Sequence, residues 1–246
     1  RSYRDVAAML WGSPVLRHML FAMTVLAVFT SPTATFLGAF LVRKFLISYT
    51  EVGAIFGISM MLAASISTLF GGILVQHLAR REERWLLWFP AITVSAAVPF
   101  YVMSLLQENP YNLGAWLFFG ALCNATYLAP CYTVLYNIVP PGGRAKAAVI
   151  VSILLGLVGQ SFGPLLAGIA NDWIAADLFG DGFAAACPGG MAPKGAAAAL
   201  DAACRGAVVE ATQMVLVATM IITVWPAFHF YLAARKMPPR AQARHG

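Results

Sequence analysis

The apolar residues of this chain are gathered into six long blocks, 15–42, 52–79, 85–106, 113–139, 147–170 and 208–234, separated by shorter polar or Gly/Pro-rich stretches. Each block reaches or exceeds the roughly 20 residues that carry a helix across a hydrocarbon core about 30 Å thick. The blocks lack the period-two alternation of membrane barrel strands and are apolar on all sides. The pattern predicts an all-α membrane protein in which 15–236 form one bundle of six transmembrane helices. Ahead of the bundle, 1–14 reads as a linker in which Asp5 to Trp11 make a short amphipathic helix ended by Gly12, Ser13 and Pro14. An opening on Arg1 is what a longer protein entered at such a linker would show.

Composition agrees: 60% of residues are hydrophobic, 11% are charged and the mean hydropathy is +0.76. The basic residues then orient the bundle. Arg1, Arg4, Arg17, Arg80, Arg81, Arg84, Arg144, Lys146, Arg235, Lys236, Arg240 and Arg244 fall on one side, and only Arg43, Lys44, Lys194 and Arg205 on the other. The positive-inside rule puts both termini in the cytoplasm, with 237–246 as a basic cytoplasmic tail. The basic excess belongs to this asymmetry and calls for no nucleic acid. The expected location is a bacterial inner membrane.

The connections carry local signals. Ser48-Tyr-Thr-Glu51 matches a capping box, which explains Glu51 without ion coupling, the other reading of that acid. Pro110 and the Pro140–Gly143 run end the helices beside them. A long outer loop, 173–207, joins the last two spans, with Ala196 to Leu200 able to make a helical turn. It holds Cys187 and Cys204, for which a disulfide and two free thiols are both open readings.

Catalytic patterns are missing. The four histidines lie near the expected cytoplasmic ends, there is no His-Glu-x-x-His or Gly-x-Ser-x-Gly string, and no acid sits at the middle of a span. Neither an enzyme nor a cofactor or metal is expected. A transport reading fits better, because transporter helices bend at Pro and Gly and pack through small residues. The fifth span carries Gly156, Gly159, Gly163 and Gly168 with Pro164, and the second carries Gly53 and Gly57. These read as a moving element or as static close packing, and Pro164 favours motion at Gly159, Gly163 and Pro164. Polar candidates cluster around Pro32 (Thr30, Ser31, Thr33, Thr35) and Pro130 (Asn124, Thr126, Tyr127, Tyr132, Tyr136, Asn137). Asn124, Tyr127 and Cys131 share one helical face at spacings of three and four, and Tyr132 and Tyr136 share another. Lining a cavity and bonding between helices are the two readings. The Asn124-Ala-Thr126 sequon is discounted at mid-membrane depth.

Two stretches resemble the major facilitator superfamily, most closely its spinster-like branch. Gly71-Gly72, then His77 through Arg84-Trp85, is similar to the superfamily loop motif, with Gln76 where an acid is usual. Pro130, Asn137 through Arg144, and Gly159-Gln-Ser-Phe-Gly163-Pro164 to Gly168 resemble the tenth and eleventh helices, with Ala167 where a second glycine is usual. The resemblance implies the C-terminal six-helix half of a twelve-helix secondary active transporter, working by alternating access on a small, amphipathic or lipid-like organic solute. It also implies membrane lipid, the solute, and an N-terminal six-helix half or second copy as partners. Thr33, Asn124, Tyr127 and Tyr132 are the cavity candidates, Gly159, Gly163 and Pro164 the gating element, and Gly72, Arg80, Arg81, Arg84 and Arg144 the cytoplasmic loop motif. A homodimeric six-helix transporter or channel, or a membrane scaffold that transports nothing, are the alternatives.

Overall fold

The structure is a computed structural model and describes residues 2–238; Arg1 and most of the basic tail, with Arg240, Arg244 and His245, lie outside the described residues. Its helices are α1 (Tyr3–Gly12), α2 (Pro14–Phe45), α3 (Tyr49–Arg81), α4 (Trp85–Leu105), α5 (Pro110–Ile138), α6 (Pro141–Phe179), α7 (Phe183–Ala186) and α8 (Ala198–Lys236). Six of them, α2 to α6 and α8, are long and apolar enough to cross a membrane. Each overlaps one of the six apolar blocks, and helix intrudes on the predicted outer loop 173–207 from both ends. α6 runs on to Phe179 and α8 begins at Ala198, so polar loop positions such as Asp177, Asp201 and Arg205 are helical. Hydropathy marks where a helix must be apolar, and these ends extend past that zone.

Local chemistry sets the helix starts. Ser2 and Asp5 cap α1 reciprocally, through Ser2 N to Asp5 Oδ2 at 2.8 Å and Asp5 N to Ser2 Oγ at 3.2 Å. Pro14 and Pro110 each begin a helix, where a missing N–H costs nothing. The Ser48–Glu51 box forms as its spacing predicts, with Ser48 N donating to Glu51 Oε2 at 2.7 Å. α1 is more than a surface helix, since Val6 and Leu10 are fully buried in the bundle core.

Packing proceeds around the bundle: α8 lies against α2 and α4, α5 against α4 and α3, and α6 against α2 and α8. One core, near the end of the bundle bearing Arg80–Arg84, gathers Leu16, Met19, Met23, Leu87, Val134 and Phe230. Another, toward the opposite end, gathers Phe40, Leu41, Phe56, Leu105, Leu117 and Leu216.

Two of the spanning helices carry π-helical stretches. α3 carries a π-helical stretch at Gly53–Gly57, and α6 carries one at Leu154–Gln160. π turns widen the hydrogen-bond spacing and mark deformable points in a helix. In α6 the stretch ends four residues before Pro164, whose ring leaves the Gln160 carbonyl without its usual donor. Beyond α6, the connection is clamped to α8. Cys187 and Cys204 are disulfide-bonded, with Cα atoms 5.6 Å apart, and Ala175, Val208 and Ala211 form a buried cluster with Ile174 and Phe183 against it.

Candidate functional site

The middle of α2 organises the polar chemistry of the bundle. Pro32 has no N–H to give the Val28 carbonyl, and the Ser31 hydroxyl serves that carbonyl instead, 3.2 Å from Val28 O and equally 3.2 Å from Gly159 O of α6. At this crossing the helices meet almost without side chains. A Cβ on Gly159 would lie 2.5 Å from Ala27 Cβ, and one on Gly163 would overlap Val28 O and Ser31 Oγ. A Cβ on Gly156 would meet nothing within 4 Å, and one on Gly168 only Phe36, at 3.7 Å. The four glycines of the fifth span are therefore not equivalent: two are demanded by the crossing.

A cavity of about 470 Å³ opens beside this crossing, between α2, α3, α4, α5 and α8. Its walls are mainly apolar, with Leu37, Leu41, Phe56, Met60 and Met220, and its polar groups are Thr30, Thr33, Tyr101 and Asn124. Thr30 and Thr35 turn their hydroxyls back onto the carbonyls of Leu26, at 2.8 Å, and Ser31, at 3.1 Å. The Thr33 hydroxyl does not: it is buried, with the residue only 6% exposed, and has no hydrogen-bond partner. A buried hydroxyl without a partner is costly and points to a missing acceptor or donor. A second recess of about 290 Å³ shares Thr30 and Ala34 with the first and adds Ser31, Thr35, Tyr127 and Gln160.

The sequence-predicted cavity residues are thus divided. Thr33 and Asn124 share the larger cavity, and Tyr127 lines the smaller. Tyr132 lines neither; its ring sits 5.9 Å from that of Tyr136 and packs against the core. Asn124 and Tyr127 are joined by a tight 3-10 turn at Ala125–Tyr127, and Cys131 is fully buried. Sequence reasoning missed Tyr101, the only tyrosine of α4, although a phenol at that depth needs a partner and so carries a signal.

At the other candidate, the loop after α3, Arg84 donates from Nε to Met237 O at 3.4 Å and pairs with Glu82 at 3.6 Å, and Arg144 donates to Val139 O at 3.2 Å. Arg80 and Gly72 line a recess with Glu83, Thr133 and Asn137, while Arg81 is exposed. The glycine that packs here is Gly71 rather than Gly72. A Cβ on Gly71 would come within 2.9 Å of Thr126 Cγ2, and one on Gly72 would meet nothing within 4 Å. Thr126 is itself held, its Oγ1 lying 2.7 Å from Thr93 Oγ1. Gly53 and Gly57 make no close packing contact within the chain, because neither would bring a Cβ within 4 Å of a neighbour. They bracket the π stretch instead.

No family model matches the chain. Among curated proteins, it is 30% identical over 144 residues to an "MFS-type efflux pump" of Mycolicibacterium smegmatis, an alignment covering 58% of this chain and 33% of the relative. It is 28% identical over 152 residues to the "Anhydromuropeptide permease" of Escherichia coli, covering 61% of the chain and 30% of the relative. These alignments span about a third of each relative's length. Among solved structures, it is similar to a bacterial homolog of the human lysosomal transporter Spinster in two inward-facing forms. The unoccupied form gives a TM-score of 0.83 at 21% identity over 96% of this chain, and the occupied form 0.79 at 22% over 93%; each comparison covers 50% of the neighbour's chain. The relatives are a pump and a permease rather than enzymes.

Proposed function

We propose that this chain, which has the six-helix fold of one half of a spinster-like major facilitator superfamily protein, supplies one wall of a secondary active transporter. The transported molecule is a small amphipathic or lipid-like organic solute, moved by alternating access. The observation that carries the reading is the α2 cavity, mostly apolar with Thr33, Tyr101 and Asn124 as dispersed polar groups and with the Thr33 hydroxyl unpartnered. That mixture suits a solute with a hydrocarbon body and a few hydrogen-bonding groups. The broad exposed apolar face of α3, with Met61, Leu69, Phe70 and Ile73, supports a partner half or second copy across the pathway. The chain sits with both termini in the cytoplasm of a bacterial inner membrane, as its basic residues argue. In this reading the π stretch of α6, with Gly159, Gly163 and Pro164, is the gate, and Arg80, Arg84 and Arg144 brace the cytoplasmic loops.

The test uses the native polypeptide in proteoliposomes, with a zwitterionic single-chain amphiphile compared with a sugar-sized polar solute. Thr33→Val keeps the shape and removes the hydroxyl. We expect amphiphile flux to fall about fivefold, the equivalent of one hydrogen bond of about 1 kcal/mol. Unchanged flux in Thr33→Val and in Asn124→Ala, both folded, would overturn the cavity assignment. Transport of the polar solute alone would overturn the solute class.

A further inference from the structure

At the end of the bundle bearing Arg80–Arg84, α2 and α8 are joined by two imidazoles. His18 Nδ1 lies 3.1 Å from His229 Nδ1, with ring centroids 5.3 Å apart. Both residues are half-buried, and the exposed rings of Phe21, Trp225 and Phe228 stand around His229 at 4.5, 6.0 and 6.2 Å. Among the described residues no carboxylate pairs with either ring. On the same two helices Arg17, Tyr231, Arg235 and Lys236 are exposed. At the start of α4, Arg84 is held by Glu82 and Met237 O. On α1, Arg4 is exposed and Asp5 caps Ser2. At the start of α6, Arg144 donates to Val139 O and Lys146 lies over the Tyr3 ring.

A contact of this length between two ring nitrogens holds one proton, because two bare lone pairs repel each other and so do two N–H groups. With both rings neutral, one donates its Nδ1–H to the Nδ1 of the other. The donor ring keeps a bare Nε2, which takes the first added proton, and the imidazolium so formed donates the stronger, charge-assisted bond. The acceptor's Nδ1 is then the last bare nitrogen, and it lies inside the contact. We infer that His18 and His229 form a two-step proton-binding site, in which the first proton tightens the α2–α8 contact and the second opens it. The site acts near the start of α2, about 20 Å along the helix from Pro32. The helix that carries the Ser31–Gly159 contact is thus latched to α8 by one shared proton. The latch is independent of which solute the bundle serves.

The experiment uses the native polypeptide in micelles, with nitrogen-15 histidine and a metal chelator present. The chain has four histidines, so His77→Gln with His245→Gln leaves the pair alone in the spectrum. Ring nitrogen shifts distinguish bare from protonated nitrogens. At alkaline pH one ring is expected in the Nδ1–H form and the other in the Nε2–H form. On acidification the donor's Nε2 should fill first and the acceptor's Nδ1 second, more than about one pH unit apart, where independent rings would titrate together. Scalar coupling between the two Nδ1 atoms should survive the first step and vanish in the second. His18→Phe should leave His229 titrating with no coupling partner. Two rings that both begin as Nε2–H and titrate together would overturn the site, whether or not His18→Phe folds. Coupling lost in the first step, or kept through the second, would overturn it as well.

Discussion

α4 and α8 bury 44% and 50% of the residues in their most apolar stretches, whereas α3 and α6 bury 22% and 17%. The first pair is held by large interlocking side chains: Leu87 and Leu105 of α4 and Phe230 of α8 are almost fully buried. The second pair is held at a few points where a glycine lets a neighbouring helix close in, Gly71 against the Thr126 side chain and Gly159 and Gly163 against α2. The π stretches fall only in this second pair. Inside a membrane, burying one more leucine gains little, because lipid is as apolar as a neighbouring helix, so close backbone approach and hydrogen bonds determine association. A helix anchored at points can hinge between them, and one packed along its length cannot. Four measurements would break or sharpen that contrast.

The largest effect is expected at Gly163. Gly163→Ala places a methyl group against Val28 O and Ser31 Oγ at the tightest crossing in the bundle. Overpacking of this kind costs about 3 kcal/mol, read as a shift in the denaturant midpoint of the micelle-bound protein. A loss under about 1 kcal/mol would mean that the crossing yields, and the point-contact picture would fail.

Next is the clamp between α6 and α8. Replacing Cys187 and Cys204 by Ser opens a loop with a sequence separation of 17, for which the expected loss is about 2 kcal/mol, at the low end for a disulfide. The loss is limited because other ties remain. Thr212 Oγ1 lies 2.7 Å from Asn171 Oδ1, and Ala175, Val208 and Ala211 stay packed. The diagnostic readout is local: hydrogen exchange should rise in 180–197 and leave α4 unchanged. A rise spread through α4 would show that the clamp supports the whole bundle.

Ser31→Ala comes third, at about 1 kcal/mol. It leaves the Val28 carbonyl, already without a partner N–H because of Pro32, with no donor, and removes the contact to Gly159 O. Restoring a backbone donor with Pro32→Ala in the same chain should recover part of the loss. Additive losses in the double variant would separate Ser31 from Pro32.

Much of this was legible in the sequence, for reasons that differ by level. The six spans follow from block length, a constraint the bilayer imposes on any helix. The cap at Ser48 follows from chemistry confined to four residues, Ser48 N donating to Glu51 Oε2 at 2.7 Å. Side-chain placement across helices was harder to read. Tyr132 was grouped with Thr33 and Asn124 because all are polar residues near a proline, yet it lies half-buried against the core, with its ring beside that of Tyr136. His18 and His229, with Nδ1 atoms 3.1 Å apart, are 211 positions apart in sequence, and nothing local announces the pairing.

Gly71 and Gly72 make the smallest and most discriminating case. They are adjacent and chemically identical, and hydropathy or a motif treats them as one unit. A helix turns about 100° per residue, so only one of them can face α5. Gly71 does, and Thr126 fills the space where its Cβ would go. Thr126 cannot easily withdraw, because its hydroxyl is bonded both to Thr93 Oγ1 at 2.7 Å and to Cys123 O at 2.9 Å. Gly72 faces the open recess lined by Gln76 and Arg80. Alanine at 71 should therefore destabilise by about 1 kcal/mol through overpacking, while alanine at 72 should stabilise by about 0.5 kcal/mol, since a helical alanine loses less backbone freedom on folding. Opposite signs at neighbouring positions would show that α3 is held at a point on one face. Equal signs would mean that its contact with α5 is diffuse, and α3 would then belong with the packed pair.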